Sequence, residues 1–279
     1  MLQPWMNSPD LAPGDAKGAT LDWSGFELHR IRSTEDPIFP RAYGPLLDEF
    51  DASDEIEQPE VLARRMQWNP ALILNGCGLL YELLLITKGD AFVGVRDHTA
   101  IVRAEFQMAV VHMSHNLVAP AYRRSGIAGW LRALPIATAR ACLAAQGLRQ
   151  SLPIYLIGEM EPADPANEAR TVRLTAYEKA GYRKIDPSVI DYLQPDFRPP
   201  AEIDASGGPQ PLPLSLLVRK VGRETESSIR AETVHRIATC LYQMYEMEFR
   251  PRDMECVWKN LEAFPRGEQL IPLLPPTEL

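Results

Sequence analysis

The sequence predicts a mixed α/β fold, and three observations carry the prediction. Residues 106–118 are β-branched and apolar enough for a buried strand, whereas residues 131–146 are rich in Ala, Leu and Arg, so the segment between them joins a strand to a helix. Residues 152–159 (Leu-Pro-Ile-Tyr-Leu-Ile-Gly-Glu) then read as a further strand and residues 164–180 as a further helix, the order of a parallel pair with helical crossovers. Finally, 46% hydrophobic residues in 279 suffice for the core of one large domain, or of one domain with an appendage.

The elements follow in order. Residues 1–22 lack a basic start followed by an apolar core, so they are not a secretory signal and read as a flexible tail. Residues 26–32 alternate as a first strand, and residues 41–50 and 59–68 read as short helices separated by an acidic loop at 51–57. Residues 81–87 and 91–95 form a hairpin across Lys88-Gly-Asp, and with residues 99–106 and the strand before the junction they suggest an antiparallel meander. Pro135 removes a backbone donor and predicts a kink or split in the helix after the junction, which Gly147 ends. Asp164-Pro165 suits an N-cap and first helical position, and Gly181 suits the C′ position of that helix. Residues 183–193 and 214–221 read as the closing strands, with a long loop at 195–213.

Beyond Gly222, Ile229, Val234, Ile237, Leu241 and Met244 recur at helical spacing. The expected division is therefore a tail at 1–22, a core domain at 23–222 and a helical extension with a proline-rich end at 223–279. The extension's apolar stripe, with Tyr242, Tyr245 and Trp258 nearby, suits packing on the same chain or on a second copy in a homodimer.

Composition excludes several classes. With 37 acidic residues against 29 Lys and Arg, a net charge of -8 and no basic stripe, binding to a nucleic-acid backbone is disfavoured. The longest apolar runs fall far short of the roughly 20 residues that span a bilayer. Cys77, Cys142, Cys240 and Cys256 are scattered, with neither a zinc spacing nor a disulfide framework, so no metal is expected and the thiols suit a reducing cytoplasm.

The junction is the chemically informative stretch. Where a strand runs into a helix, the first backbone N–H groups lack intrahelical partners and the helix dipole adds positive charge, a combination that suits an anion. Gly126 has no Cβ to keep a pyrophosphate away, and Arg123 and Arg124 can reach phosphate oxygens. The plainer reading of Gly126 is that it eases a tight turn.

The string Val118-Ala-Pro-Ala-Tyr-Arg123-Arg-Ser-Gly126-Ile-Ala128 resembles the acyl-CoA signature of the GNAT superfamily of N-acetyltransferases, with Arg123, Gly126 and Ala128 at its defining positions. Leu174-Thr-Ala-Tyr177-Glu-Lys-Ala-Gly181-Tyr182 is similar to that family's fourth-helix ending, in the right order and at a fitting distance. The resemblance spans residues 23–222. It implies a twisted, mostly antiparallel sheet whose central parallel pair splays around an acyl-CoA, with helices flanking. It also implies transfer of an acetyl or other short acyl group from acetyl-CoA to a primary amine, on a small molecule or a peptide. By the same resemblance Asn116, Leu117 and Val118 pair with the pantetheine arm, and Arg123, Arg124, Ser125, Gly126, Ile127, Ala128 and Gly129 cradle the pyrophosphate. A non-catalytic acyl-CoA sensor on the same scaffold is the alternative.

Amine acylation needs a base for the amine proton and an acid for the leaving thiolate. Tyr177 matches the tyrosine that serves as the acid in many family members. His112 lies where family members carry a Glu or His base, and histidine can accept a proton near neutral pH. Glu159, at the end of its strand, is an alternative base or amine ligand, and His115 would face away from His112 unless a bulge breaks the strand parity. One departure concerns an Asn often found before the helix-four Tyr: Arg170 or Thr171 occupies that spacing here, and Asn167 lies ten positions ahead.

Overall fold

The computed structural model describes residues 6–50 and 56–279; residues 1–5 of the expected tail and 51–55 of the expected acidic loop lie outside them. Buried runs, apolar for the most part, give the central strands. β1 (Phe26–Ile31), β2 (Gly78–Lys88), β3 (Ala91–Val102) and β4 (Ala109–His112) pair antiparallel in sequence order as a meander, preceded by α1 (Phe39–Phe50) and α2 (Pro59–Arg65) between the first two. A short β5 (Asn116–Val118) returns to β3. The helix after the junction is split, as Pro135 requires: α3 (Ile127–Ala133) ends and α4 (Pro135–Ala145) begins with that proline at its first position.

β6 (Ile154–Met160) lies parallel to β4, and α5 (Glu168–Lys179) follows it. The helix starts later than Asp164-Pro165 suggested, because Asn167 is the cap and its side chain accepts from the Arg170 backbone N–H at 2.9 Å. It ends as expected: Gly181 takes a φ of 79°, and the Tyr182 N–H returns to the Tyr177 carbonyl at 3.0 Å. β7 (Arg183–Ile185), a two-residue ladder of β8 (Leu193–Gln194) with β9 (Leu212–Pro213) around α6 (Pro200–Ala205), and β10 (Ser215–Lys220) complete this region. Sheet order is β1-β2-β3-β4-β6-β10-β7, which is the mostly antiparallel sheet with one parallel pair that the sequence predicted.

The expected strands at 91–95 and 99–106 are one continuous β3 that stops at Val102, and the expected loop at 195–213 carries α6 and β9. Two further regions differ from expectation. Residues 8–20, read as flexible, form two 3₁₀ segments, and Met6, Leu11 and Ala12 are buried. The extension is not only helical: β11 (Ser228–Arg230) and β12 (Leu270–Leu274) add to the main sheet beside β7, enclosing α7 (Ala231–Tyr245) and α8 (Pro251–Glu262). The α7 stripe packs on this chain's own sheet, where Val234, Ile237, Leu241 and Tyr245 join Tyr155, Ile157 and Val218 in one core. The opposite sheet face packs under α4 and α5 through Val111, Leu156, Leu174 and Tyr177.

Candidate active site

The parallel pair holds register only from Ala109–Ile154 to His112–Ile157, closing with the Met113 N–H on the Ile157 carbonyl at 2.8 Å. Past that point Asn116–Val118 follows β3 while Gly158–Met160 follows β10, so the sheet parts between them. His112 and Glu159 stand at the fork. Since His112 pairs opposite Ile157, both project from the face that α7 covers.

Their contacts fix their chemistry. Glu159 is buried and accepts from His112 Nε2 at 2.8 Å, Tyr192 Oη at 2.5 Å, Gln194 Nε2 at 3.3 Å and Tyr245 Oη. A carboxylate accepts only, so the His112 proton sits on Nε2 and Nδ1 is the basic nitrogen, facing Ser114 Oγ at 3.2 Å. Burial disfavours the Glu159 charge, but the hydrogen bond and positive charge of His112, with the Tyr192 and Tyr245 hydroxyls, outweigh it and hold the carboxyl below its ordinary value. Burial and then the Glu159 charge push both tyrosines well above theirs, so they remain proton donors.

His115 shares this face after all. Thr99 pairs with His112 and Arg96 with Asn116, so one extra residue bulges between β4 and β5 and resets the alternation. His115 Nδ1 lies 2.9 Å from Asp97 Oδ1, whose partner oxygen receives the Tyr81 hydroxyl at 3.1 Å. Asp97 is held well below the usual carboxylate range: burial opposes the charge, and His115 more than offsets it. Glu57, Asp97 and His115 place ligand atoms within 4.8 Å of one another. Arg65, itself 2% exposed and paired with Glu57 and Glu248, already compensates that charge.

Tyr177 lies elsewhere. It sits in the last turn of α5 on the opposite sheet face, edge-on to Tyr182 with ring centroids 4.9 Å apart. The fold therefore joins His112 with Glu159 and separates both from Tyr177. Tyr245, Tyr192 and Gln194 were not singled out as site residues; Tyr245 carried only its place near a helical stripe, which signals packing and says nothing of where a hydroxyl points.

The signature turn is strained and covered. Arg124 takes a left-handed φ of 65°, which costs a non-glycine residue about 1 kcal/mol, and Gly126 follows at 100°. Arg123, Arg124 and Ser125 are exposed, with Arg123 Nε donating to the Val118 carbonyl at 3.3 Å. The open faces of the glycines are taken by this chain's own N-terminal segment: a Cβ on Gly126 would lie 2.9 Å from Gly18 Cα, and one on Gly129 2.8 Å from Asp15 Cβ. Trp130 Nε1 donates to the Gly18 carbonyl at 2.8 Å. As folded here, the turn does not fit a pyrophosphate against Gly126 or Gly129.

No protein-family model matches the chain, and no curated protein matches it. Solved structures do. An aminoglycoside acetyltransferase from an uncultured soil metagenomic sample, in complex with trehalose, is 14% identical over 56% of this chain and 88% of its own, with a TM-score of 0.37. An acetyltransferase from Streptococcus agalactiae is 12% identical over 70% and 98%, with a TM-score of 0.40. The GNAT-family acetyltransferase from Streptococcus pneumoniae is 14% identical over 70% and 100%, with a TM-score of 0.34. Likenesses at this level assign no donor, acceptor or catalytic residue to this chain.

Proposed function

We propose that this chain is an acyltransferase that acylates a primary amine from an acyl-CoA, with the His112–Glu159 pair as its proton acceptor. The observation that carries the reading is the fork in the sheet, with a buried, carboxylate-oriented histidine at its apex. The signature-like residues Arg123, Gly126 and Ala128 supply the donor class.

The chain's own part is proton handling. An amine nucleophile must shed a proton, which passes to His112 Nδ1 either directly or through Ser114 Oγ. The imidazolium then faces the Glu159 carboxylate, with Tyr192 and Tyr245 holding that carboxylate in place. Tyr177, on the other face, is proposed as the proton donor to the leaving group.

The test is a panel of amine acceptors with acetyl-CoA, read as free thiol. Acceptor-dependent thiol release that Glu159→Gln lowers supports the reading; release by no acceptor overturns it. Tight CoA binding without acceptor-dependent thiol would select an acyl-CoA sensor without transfer instead. Among the described residues no helix is long and apolar enough to cross a membrane, and the four cysteines are free thiols; a cytoplasmic setting is part of the proposal.

A further inference from the structure

Residues 6–20 lie over parts of α3, α4 and α5 as a roof. Asp15 takes Arg132 bidentately, Nε at 3.0 Å and Nη2 at 2.5 Å, and Asp10 takes Arg140 at 2.6 and 2.7 Å. Arg219 Nη2 donates to the Asp10 carbonyl at 2.9 Å. The segment meets its neighbours at glycines, Gly18 against Gly126 and Gly14 against the Lys179 carbonyl, so backbone lies on backbone with few apolar anchors beyond Met6, Leu11 and Ala12.

Around Tyr182 positive charge is left over. Arg96 on β3 is fully buried, and none of its three guanidinium nitrogens has a hydrogen-bond partner. Arg219 pairs with Glu224 through Nε at 2.9 Å but leaves Nη1 without a partner; Tyr182 Oη lacks one too, and Tyr182 feels the charges of Arg96, Arg219 and Arg132 together. A buried guanidinium without an acceptor is strongly disfavoured, so its retention points to an anion that it receives at some stage.

We propose that residues 6–20 are a displaceable strap, held by Asp10 on Arg140 and by Asp15 on Arg132, that closes an anion site built from Arg96, Arg132 and Arg219. The phosphates of the acyl donor take the strap's place. That identity of the ligand rests on the acyl-CoA reading above; the site and its closure rest on the ion pairs and the unpartnered donors. Displacement frees Arg132 and Arg140 from their aspartates and Arg219 from the Asp10 carbonyl, and it opens Gly126 and Gly129 as well.

The test pairs calorimetry with proteolysis, using CoA and inorganic pyrophosphate as separate probes. In the full-length wild type, Lys17 is exposed on the strap, and saturating CoA is expected to accelerate tryptic cleavage there. The double variant Asp10→Asn/Asp15→Asn is expected to bind both probes at least roughly tenfold tighter than wild type, since the ion pairs that hold the strap closed are gone. Equal affinity in variant and wild type, with cleavage at Lys17 unchanged by CoA, overturns the strap while leaving acyl-CoA binding intact. Tighter pyrophosphate without any CoA binding keeps the strap and overturns the acyl-CoA reading. Binding of neither probe by the folded variant overturns the anion site.

Discussion

Tyr245, the last residue of α7, donates its hydroxyl to the carboxylate of Glu159, which stands where β4 and β6 part. The C-terminal region thus supplies part of the polar centre as well as packing. His112 Nε2 lies 3.3 Å from the same hydroxyl, so strand, strand and helix meet at one hydrogen-bonded cluster. Such a cluster fixes the imidazole's tautomer and its orientation.

Glu159→Gln therefore removes the charge that faces a protonated His112 while keeping the shape. The expected result is a fall in kcat of about 10²-fold with little change in the KM for the acyl donor. Steady-state kinetics with the acyl donor and the amine varied in turn check this.

Tyr245→Phe is the milder companion. It deletes one donor to Glu159 and one neighbour of His112, leaving Tyr192 and Gln194 in place. A loss of roughly tenfold in kcat, with folding retained, is expected, because one hydrogen bond to a charged acceptor accounts for about 1.5–3 kcal/mol at most. An unaltered rate would make Tyr245 a packing residue alone.

Gly126→Ala should destabilise the fold whether or not any ligand binds. The residue has φ 100°, and the added Cβ would meet Gly18 Cα at 2.9 Å, backbone that can move only by lifting the N-terminal segment. A cost of about 1–3 kcal/mol is expected in denaturant unfolding. Conversely, Arg96→Met removes a buried guanidinium without partners, and it is expected to raise stability by on the order of 1–3 kcal/mol while weakening anion binding.

These contrasts show which features a linear reading reaches. The strand-to-helix junction, the Pro135 split and the Gly181 cap were legible because each depends on a few adjacent residues with fixed conformational preferences. Residues 6–20 were not, since Asp15 finds Arg132 and Asp10 finds Arg140 across more than a hundred positions, with no periodicity to announce either pair. β12 was hidden for the same reason: Leu273 pairs with Ile185, and a five-residue strand after two helices reads as tail. At the site, Glu159 was legible as a carboxylate at a strand end, and His112 through the position that the family resemblance gives it. The bulge that turns His115 to the same face, and the hydroxyls of Tyr192 and Tyr245, depend on tertiary geometry.

Acid sensitivity should trace to His98. Its ring is fully buried, with Nε2 at 2.8 Å from Thr138 Oγ1, and Thr138 in turn donates to Glu82 at 2.7 Å. Burial, with Arg96 and Arg30 nearby and despite Glu82 and Asp97, lowers its pKa from 6.5 to about 4. On acidification the unfolded chain takes up this proton near pH 6.5, whereas the folded chain resists until about pH 4, so the unfolded state binds more protons throughout that window. Stability attributable to His98 is then fully present above pH 6.5 and falls as pH drops toward 4, by on the order of 3 kcal/mol. His98→Asn, which keeps a polar partner for Thr138 and cannot titrate, is expected to flatten the unfolding free energy between pH 6.5 and 4; an unchanged slope would place the acid sensitivity elsewhere.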